Sequence, residues 1–296
     1  MTNTRLVLIQ ALSPIHCGTG HATGAIDLPI ARENPSGLPF IPGSSLKGVL
    51  RARSEADDAN ASLSREVFGP DTDHAAEHAG AVQFSDASLL CLPVRSIRGT
   101  FAWMTSPYLL RRFARDAREA GLALPDLPEV PAKLEEAHVP GDGDPRSALL
   151  HEDRVYCEDL DFAAKRSKTL ATFGKALAEQ LFDDATERTH FIERLCLVHD
   201  DVMAVLSRTA MQVIARNRID PDKGTVQRGA LWTEEALPVE TLLAALIVAT
   251  PVSRGDGSTE AGALLDHVAR LVEGRALQVG GKATIGRGMC RVKVVS

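Results

Sequence analysis

The first apolar run, Thr4 to Ala11 (TRLVLIQA), is rich in branched residues and closes at Ser13-Pro14, which predicts a β-strand. Residues 16–43 then hold five glycines and four prolines, a density that excludes regular structure and predicts an ordered loop. Ser44 and Ser45 offer hydroxyl caps to a helix reading SLKGVLRARSEA, with Leu46, Val49 and Leu50 on one face. A polar loop at 69–80 leads to a second strand over Ala81 to Ser88, and Pro107 to Ala120 carries helical periodicity. The stretch 121–161, broken by Pro125, Pro128, Pro131, Pro140 and Gly141-Asp142-Gly143, reads as an insertion with little regular structure. Ser167 to Leu206 supports two or three helices. Ala210 to Ile219 and Thr225 to Trp232 then flank Asp220-Pro221-Asp222-Lys223-Gly224, the pattern of a long strand pair with a projecting tip. An apolar run over Leu242 to Ala249, an amphipathic helix over Ser258 to Glu273 and a last strand over Met289 to Val295 complete the pattern. Before that last strand, residues 280–288 form a second glycine-rich loop. The order of elements predicts an α+β sandwich of the ferredoxin-like kind.

Composition narrows the class. With 296 residues, 44% hydrophobic and 24% charged, the chain has material for a core and lies far from the disordered corner. No apolar run approaches the ~20 residues a membrane-spanning helix needs, and the start MTNTRLVLIQALSP has no secretory pattern, so a cytoplasmic protein with no membrane partner is expected. The five cysteines are scattered with no C-x-x-C pair, which suggests neither a disulfide framework nor a cysteine zinc site.

Charge is uneven. The net charge is −6, yet residues 121–161 hold eleven carboxylates against Lys133, Arg146 and Arg154, leaving the rest of the chain slightly positive. Basic residues gather at Arg111, Arg112, Arg115 and Arg118, at Lys165, Arg166 and Lys168, and at Arg275, Lys282, Arg287, Arg291 and Lys293. Such clusters suit either a phosphate track or ordinary solvated helix faces. The 4% aromatic content limits any base-stacking platform.

Several short motifs fail on context. His74-Ala75-Ala76-Glu77-His78 has the H-x-x-E-H spelling of a zinc peptidase but no apolar stripe to bury its helix. Ser44-x-x-Lys47 lacks the S-D-N and K-T-G partners of penicillin-recognising enzymes, and Gly43 to Gly48 is followed by Val49 where a phosphate-binding loop needs lysine. Gly18, Gly20 and Gly24 miss the dinucleotide spacing. Two glycine-rich loops beside strands remain, one with Lys47 and Arg51 and one with Lys282 and Arg287. They are either tight connections or a cradle in which backbone N–H groups and a helix N-terminus meet an extended phosphodiester.

Three segments are recognisable: Ser13-Pro14-Ile15-His16-Cys17-Gly18-Thr19-Gly20, Ile26-Asp27-Leu28-Pro29-Ile30-Ala31-Arg32-Glu33, and Pro39-Phe40-Ile41-Pro42-Gly43-Ser44-Ser45-Leu46-Lys47-Gly48. In them the chain resembles the RAMP superfamily of CRISPR proteins. Gly229-Ala230-Leu231-Trp232-Thr233-Glu234-Glu235-Ala236-Leu237-Pro238 and the 280–288 loop narrow the resemblance to repeated backbone subunits of type III-B (Cmr) effector complexes. Residues 100–205 carry no matching motif.

The resemblance implies a single RAMP domain: a ferredoxin-like, RRM-type palm over about 1–100 and 239–296, a helical or irregular insertion over about 101–210, and a thumb hairpin over about 211–238. It implies binding of CRISPR RNA and cleavage of complementary single-stranded target RNA at regular intervals by metal-dependent 2′-OH attack, active only in the assembled complex. Expected partners are both RNAs, further copies of the chain in a helical filament and other Cmr subunits. Asp27 matches the catalytic, metal-holding position for a divalent ion such as Mg²⁺ or Mn²⁺. His16 matches a supporting catalytic position, and Glu234 or Glu235, at the thumb base, would serve the active site of the neighbouring copy, with Glu234 the catalytic candidate. Ser44, Ser45, Lys47, Arg51, Gly281, Lys282, Gly286 and Arg287 would hold RNA. Ala236 stands where the family often has an aromatic residue. The alternatives are a non-catalytic guide-binding scaffold, the type III-A backbone equivalent, and a monomeric processing nuclease of the same superfamily.

Overall fold

In a computed structural model, which describes residues 3–20, 26–56, 61–70, 72–74, 78–141, 145–254 and 257–295, the first apolar run is strand β1 (Thr4–Ala11). Leu6 and Leu8 pack into one core cluster while Val7 and Ile9 pack into another, so the strand is apolar at successive positions because both faces are covered. The chain passes through β2 (Phe40–Ile41), α1 (Gly43–Glu55) and α2 (Ala61–Phe68) to β3 (Val82–Phe84), β4 (Ala87–Arg95), β5 (Phe101–Thr105) and α3 (Pro107–Glu119). Next come β6 (Glu136–Pro140), β7 (Leu150–His151), β8 (Arg154–Cys157), β9 (Leu160–Ser167), α4 (Lys168–Leu181) and α5 (Ala185–Arg194). After β10 (Leu195–Val198) and α6 (Asp200–Thr209) the chain forms β11 (Gln212–Ile219) and β12 (Val226–Ala236). The remaining elements are β13 (Leu242–Ala249), β14 (Val252–Arg254), β15 (Gly257–Thr259), α7 (Ala261–Val272), β16 (Leu277–Gln278) and β17 (Met289–Val295).

The architecture is mixed α/β. Among the described residues the large sheet runs β16-β17-β1-β13-β4-β5-β10-β6-β9-β8-β7, with β2 on β4 and β3 on β13. Within it β17, β1, β13 and β4 are antiparallel neighbours, and α1 and α7 lie in the connections between them. Leu46, Leu50, Leu264 and Val268 of α1 and α7 cover one face; Phe113, Phe173, Leu177 and Phe191 of α3, α4 and α5 cover the other. Trp103 packs edge-on to Phe101 and near Phe182 and Phe191, and its indole N–H donates to Glu240 O at 2.8 Å, so the ring's own polar atom is satisfied. Phe173 is fully buried there, and its truncation to alanine would cost about 3–5 kcal/mol. Among the described residues no helix is long and apolar enough to cross a membrane.

Four sequence expectations change. The acidic stretch 121–161 is not irregular throughout: Pro125, Pro128 and Pro131 lie outside strands, but β6 pairs parallel to β9, and β8 pairs antiparallel to β9. Ala137, Val139, Val155, Cys157 and Phe162 are buried by that pairing, while the opposite positions carry the charges. Residues 101–210, expected to be helical or irregular, also supply β5 and β10, which join the main sheet as a parallel pair. The expected strand over Ala81 to Ser88 is split into β3 and β4 at Ser85-Asp86. The break has a function: Asp86 Oδ1 accepts from Gly43 N at 2.8 Å, capping α1 from another segment. Helix α1 therefore starts before the predicted caps, and Ser44 and Ser45 lie in its first turn. Gly43 permits that approach, since a Cβ there would lie 2.7 Å from Ser85 O.

The β11–β12 hairpin pairs only with itself over most of its length and projects from the sheet. Asp220 builds its tip, its Oδ1 accepting from the N–H groups of Asp222 and Lys223.

Candidate active site at the foot of the hairpin

Three consecutive residues at the base of β12 organise the site. Strand β12 meets the segment after the first glycine loop side by side: Leu28 N donates to Thr233 O at 3.0 Å and Glu235 N donates to Leu28 O at 3.0 Å. That ladder puts Asp27 against Thr233. Asp27 Oδ2 accepts from Thr233 N at 2.7 Å and from its Oγ1–H at 2.9 Å, while Asp27 N donates back to Oγ1 at 3.0 Å. The carboxylate stays exposed to solvent, and the Thr233 backbone and hydroxyl donors hold its pKa below the ordinary aspartate value.

His16 is buried and places Nδ1 2.6 Å from Glu235 O. A carbonyl only accepts, so Nδ1 carries the hydrogen, and in the neutral form of the ring the lone pair is on Nε2. Two glycines fit around it: a Cβ at Gly18 would lie 2.8 Å from His16 Nε2, and one at Gly280 would lie 2.6 Å from His16 O. Gly281 N donates to the same carbonyl at 2.9 Å, so the two glycine-rich loops meet through His16.

Glu234 is buried between cations. Its Oε1 accepts from Trp232 Nε1 at 2.8 Å and from Lys282 Nζ at 3.0 Å, and its Oε2 lies 3.4 Å from Arg216 Nε. Burial pushes its pKa up, but the Trp232 and Lys282 hydrogen bonds and the charges of Lys282 and Arg216 outweigh that and hold it below the ordinary glutamate value. Glu235 turns the other way. Arg32 Nη2 donates to its Oε1 at 2.5 Å and Ile30 N to its Oε2 at 3.1 Å, a wholly internal arrangement.

His16, Gly18, Leu28, Ser44, Ser45, Gly281 and Lys282 are among the residues lining an open cleft of about 610 Å³. Lys47 and Arg51 face an adjoining pocket of about 460 Å³ that shares Ser44. Lys47 forms no hydrogen bond or ion pair among the described residues. Arg51 is engaged, pairing with Glu55 at 2.8 Å and donating to the carbonyls of Gly69 and Pro70. Gly286 is exposed on its loop at φ 79°, whereas Arg287 is buried, its guanidinium 3.4 Å from Gln212 Oε1. Arg287 thus ties the second loop to the hairpin foot and does not face the cleft.

The RAMP superfamily model matches residues 8–291. The chain belongs to the RAMP superfamily. Among individual RAMP proteins, the CRISPR system Cmr endoribonuclease Cmr4 of Pyrococcus furiosus is 34% identical over 296 residues, covering 97% of this chain and 94% of its own. The crystal structure of oligomeric Cmr4 from Pyrococcus furiosus has a TM-score of 0.75 at 28% identity, covering 99% of this chain and 97% of that one. A chain of the type III-B Cmr-beta complex bound to cognate target RNA shares the fold, with a TM-score of 0.75 at 20% identity over 98% and 96% of the two chains.

Within this RAMP chain the donors available to a divalent cation are few. Among the described residues no three or more His, Cys, Asp and Glu side chains gather. Asp27 Oδ2 is occupied by Thr233, leaving Oδ1 free, and Glu234 is neutralised by Lys282 and Arg216. A divalent cation here would draw on Asp27 Oδ1 alone among these groups, and the rest of its shell would have to come from phosphate oxygens and water. Of the H-x-x-E-H motif, Ala75 to Glu77 lie outside the described residues, as do His21 to Ala25 of the first loop. Sequence reasoning missed Thr233, Trp232, Arg216 and Arg32. The available signal was the Glu234-Glu235 pair itself, set just before Ala236-Leu237: adjacent acids entering a core need cations or donors from elsewhere.

Proposed function

We propose that the chain is a repeated backbone subunit of a type III-B CRISPR effector complex, which binds CRISPR RNA and cleaves complementary target RNA at regular intervals. The single observation that carries the reading is an exposed, ionised Asp27 fixed by Thr233 at the foot of a projecting hairpin, beside a cleft that holds His16. The 34% identity to a Cmr endoribonuclease supports it. Its palm is the ferredoxin-like, RRM-type half, a reading supported by the neighbour order β17-β1-β13-β4 with α1 and α7 in the crossovers. The thumb is the β11–β12 hairpin. Five free thiols favour a cytoplasmic setting.

Specificity in this reading belongs to the guide, so the protein contacts backbone. The first turn of α1 presents the positive end of the helix dipole with Ser44 and Ser45 on the cleft wall, and Lys47 adds a free ammonium beside it. Cleavage proceeds by attack of a target 2′-hydroxyl on its adjacent phosphate, giving a 2′,3′-cyclic phosphate and a 5′-hydroxyl. His16 Nε2 takes the 2′-hydroxyl proton, the Nδ1 bond to Glu235 holding the ring in the tautomer that accepts it, and the departing 5′-oxygen takes a proton from water. Asp27 would hold a divalent cation, Mg²⁺ or Mn²⁺, which supplies charge neutralisation at the phosphate. Glu234 acts as a positioning residue by orienting Lys282.

The test is cleavage of an end-labelled RNA complementary to the guide by the assembled complex, with Mg²⁺ or EDTA and with wild type or Asp27→Ala. Evenly spaced cuts that need both the metal and Asp27 are expected. A stable Asp27→Ala complex that cuts like wild type sinks the assignment, and an assembled wild type that does not cut makes the chain a scaffold.

A further inference from the structure

The bonds around Asp27 are unusual in coming from one residue. Asp27 follows a glycine-rich loop and sits on the surface, where a carboxylate would ordinarily sample several rotamers. Thr233 removes that freedom. Its N–H and Oγ1–H both donate to Oδ2, and its Oγ1 accepts from the Asp27 N–H, so carboxylate and backbone are clamped in a closed ring of bonds. The clamp leaves Oδ1 as the oxygen turned to solvent.

Resting on the function proposed above, we infer that Thr233 is a positioning residue for the cleavage reaction: its hydroxyl aims the Asp27 carboxylate. Because Thr233 belongs to β12, the aim of Asp27 is set by the seating of the thumb on the palm. Three neighbouring contacts keep that seating independent of the hydroxyl: Leu28 N to Thr233 O, Glu235 N to Leu28 O, and His16 Nδ1 to Glu235 O. The cluster of Glu234, Lys282 and Arg216 lies on the next residue along and does not contact Asp27. Removing Oγ1 therefore loosens the carboxylate while the hairpin foot stays docked. Valine is the suitable replacement, being isosteric and at home in a strand.

The experiment compares assembled complexes of wild type, Thr233→Val, Thr233→Ser and Asp27→Ala, measuring the single-turnover cleavage rate at saturating target and, separately, target affinity. Wild-type cleavage and its loss in Asp27→Ala establish the underlying function independently. Thr233→Val is expected to cleave about tenfold more slowly, the scale of one hydrogen bond to a charged group, with affinity and assembly within twofold of wild type. Thr233→Ser, which restores the hydroxyl, is expected to recover most of the rate. Wild-type cleavage by Thr233→Val overturns the inference. So does a Thr233→Val defect matched by an equal loss of affinity or assembly, or a Thr233→Ser variant as slow as the valine.

Discussion

His16 donates its Nδ1 hydrogen to the backbone carbonyl of Glu235 across 2.6 Å, joining the first glycine-rich loop to the thumb strand. The bond fixes a tautomer. Side-chain ¹⁵N spectroscopy of the isolated chain should therefore find the neutral form of this ring as its Nδ1–H tautomer. His16→Asn places an amide N–H near the Nδ1 position but supplies no base, so the fold and assembly should persist while cleavage falls about a hundredfold. A variant that cleaves normally would remove His16 from the chemistry.

Lys282 and Arg216 depend on Glu234 for their countercharge, and Glu234 is 5% exposed at its side chain. Deleting the carboxylate leaves the Lys282 ammonium and the Trp232 N–H short of an acceptor and Arg216 without its countercharge. Glu234→Ala should destabilise the chain by about 2 kcal/mol in denaturant unfolding, whereas Glu234→Gln, which keeps an acceptor for Trp232 and Lys282, should cost about half as much. Equal stability of the alanine variant and wild type would show that the cluster does not hold the thumb.

The Arg112–Glu33 pair gives stability an acid limb. Arg112 donates to both Glu33 oxygens, at 2.5 and 3.1 Å, joining α3 to the segment before β2. Burial pushes the Glu33 carboxyl up, but hydrogen bonds from Arg112 and Ser36 and the Arg112 charge pull it below the ordinary 4.5. A depressed folded pKa contributes stability that is fully present above the unfolded value and is lost as pH falls through the folded one. Arg112→Met should thus cost about 2–3 kcal/mol near neutral pH, and the gap to wild type should shrink below about pH 4.5. A gap independent of pH would assign the loss to packing instead.

What the chain discloses depends on how local the physics is. Strand β1 and the hairpin tip are legible because their causes lie within a few residues: a run of branched apolar side chains, and an aspartate that folds the turn around itself. Strands β6 to β9 are hidden. β6, β7 and β8 have five residues or fewer, the longer β9 carries charge along one face, and β6 finds its partner β9 only after a detour through β7 and β8. Ser44 and Ser45 are sound local caps, yet Asp86, 43 residues from Gly43, performs the capping. The site follows the same rule. Asp27 and His16 stand out through the resemblance of their motifs, but Thr233 lies 206 residues from Asp27 and nothing near it announces the contact. Arg287 looks like a phosphate ligand in sequence and is consumed by the loop's attachment to β11.

Five cysteines surrounded by core should be inert. Cys17 lines the cleft but is only 6% exposed, and burial pushes its thiol up to about 11. Burial raises Cys157 and Cys290 to about 12, the neighbouring Cys17 adding to the shift at Cys290, and it pushes Cys91 and Cys196 well above the ordinary thiol value. The thiolate is the nucleophile, so at pH 8 a colourimetric disulfide reagent should label the native chain slowly and release five equivalents once denaturant is added. Cys17 should lead what native reaction there is, being the thiol on the cleft wall, and a bound RNA should slow it further. Rapid labelling of Cys17 in the native chain would mean that the segment between His16 and Gly18 opens readily, and that the bond from His16 to Glu235 is not the anchor described above.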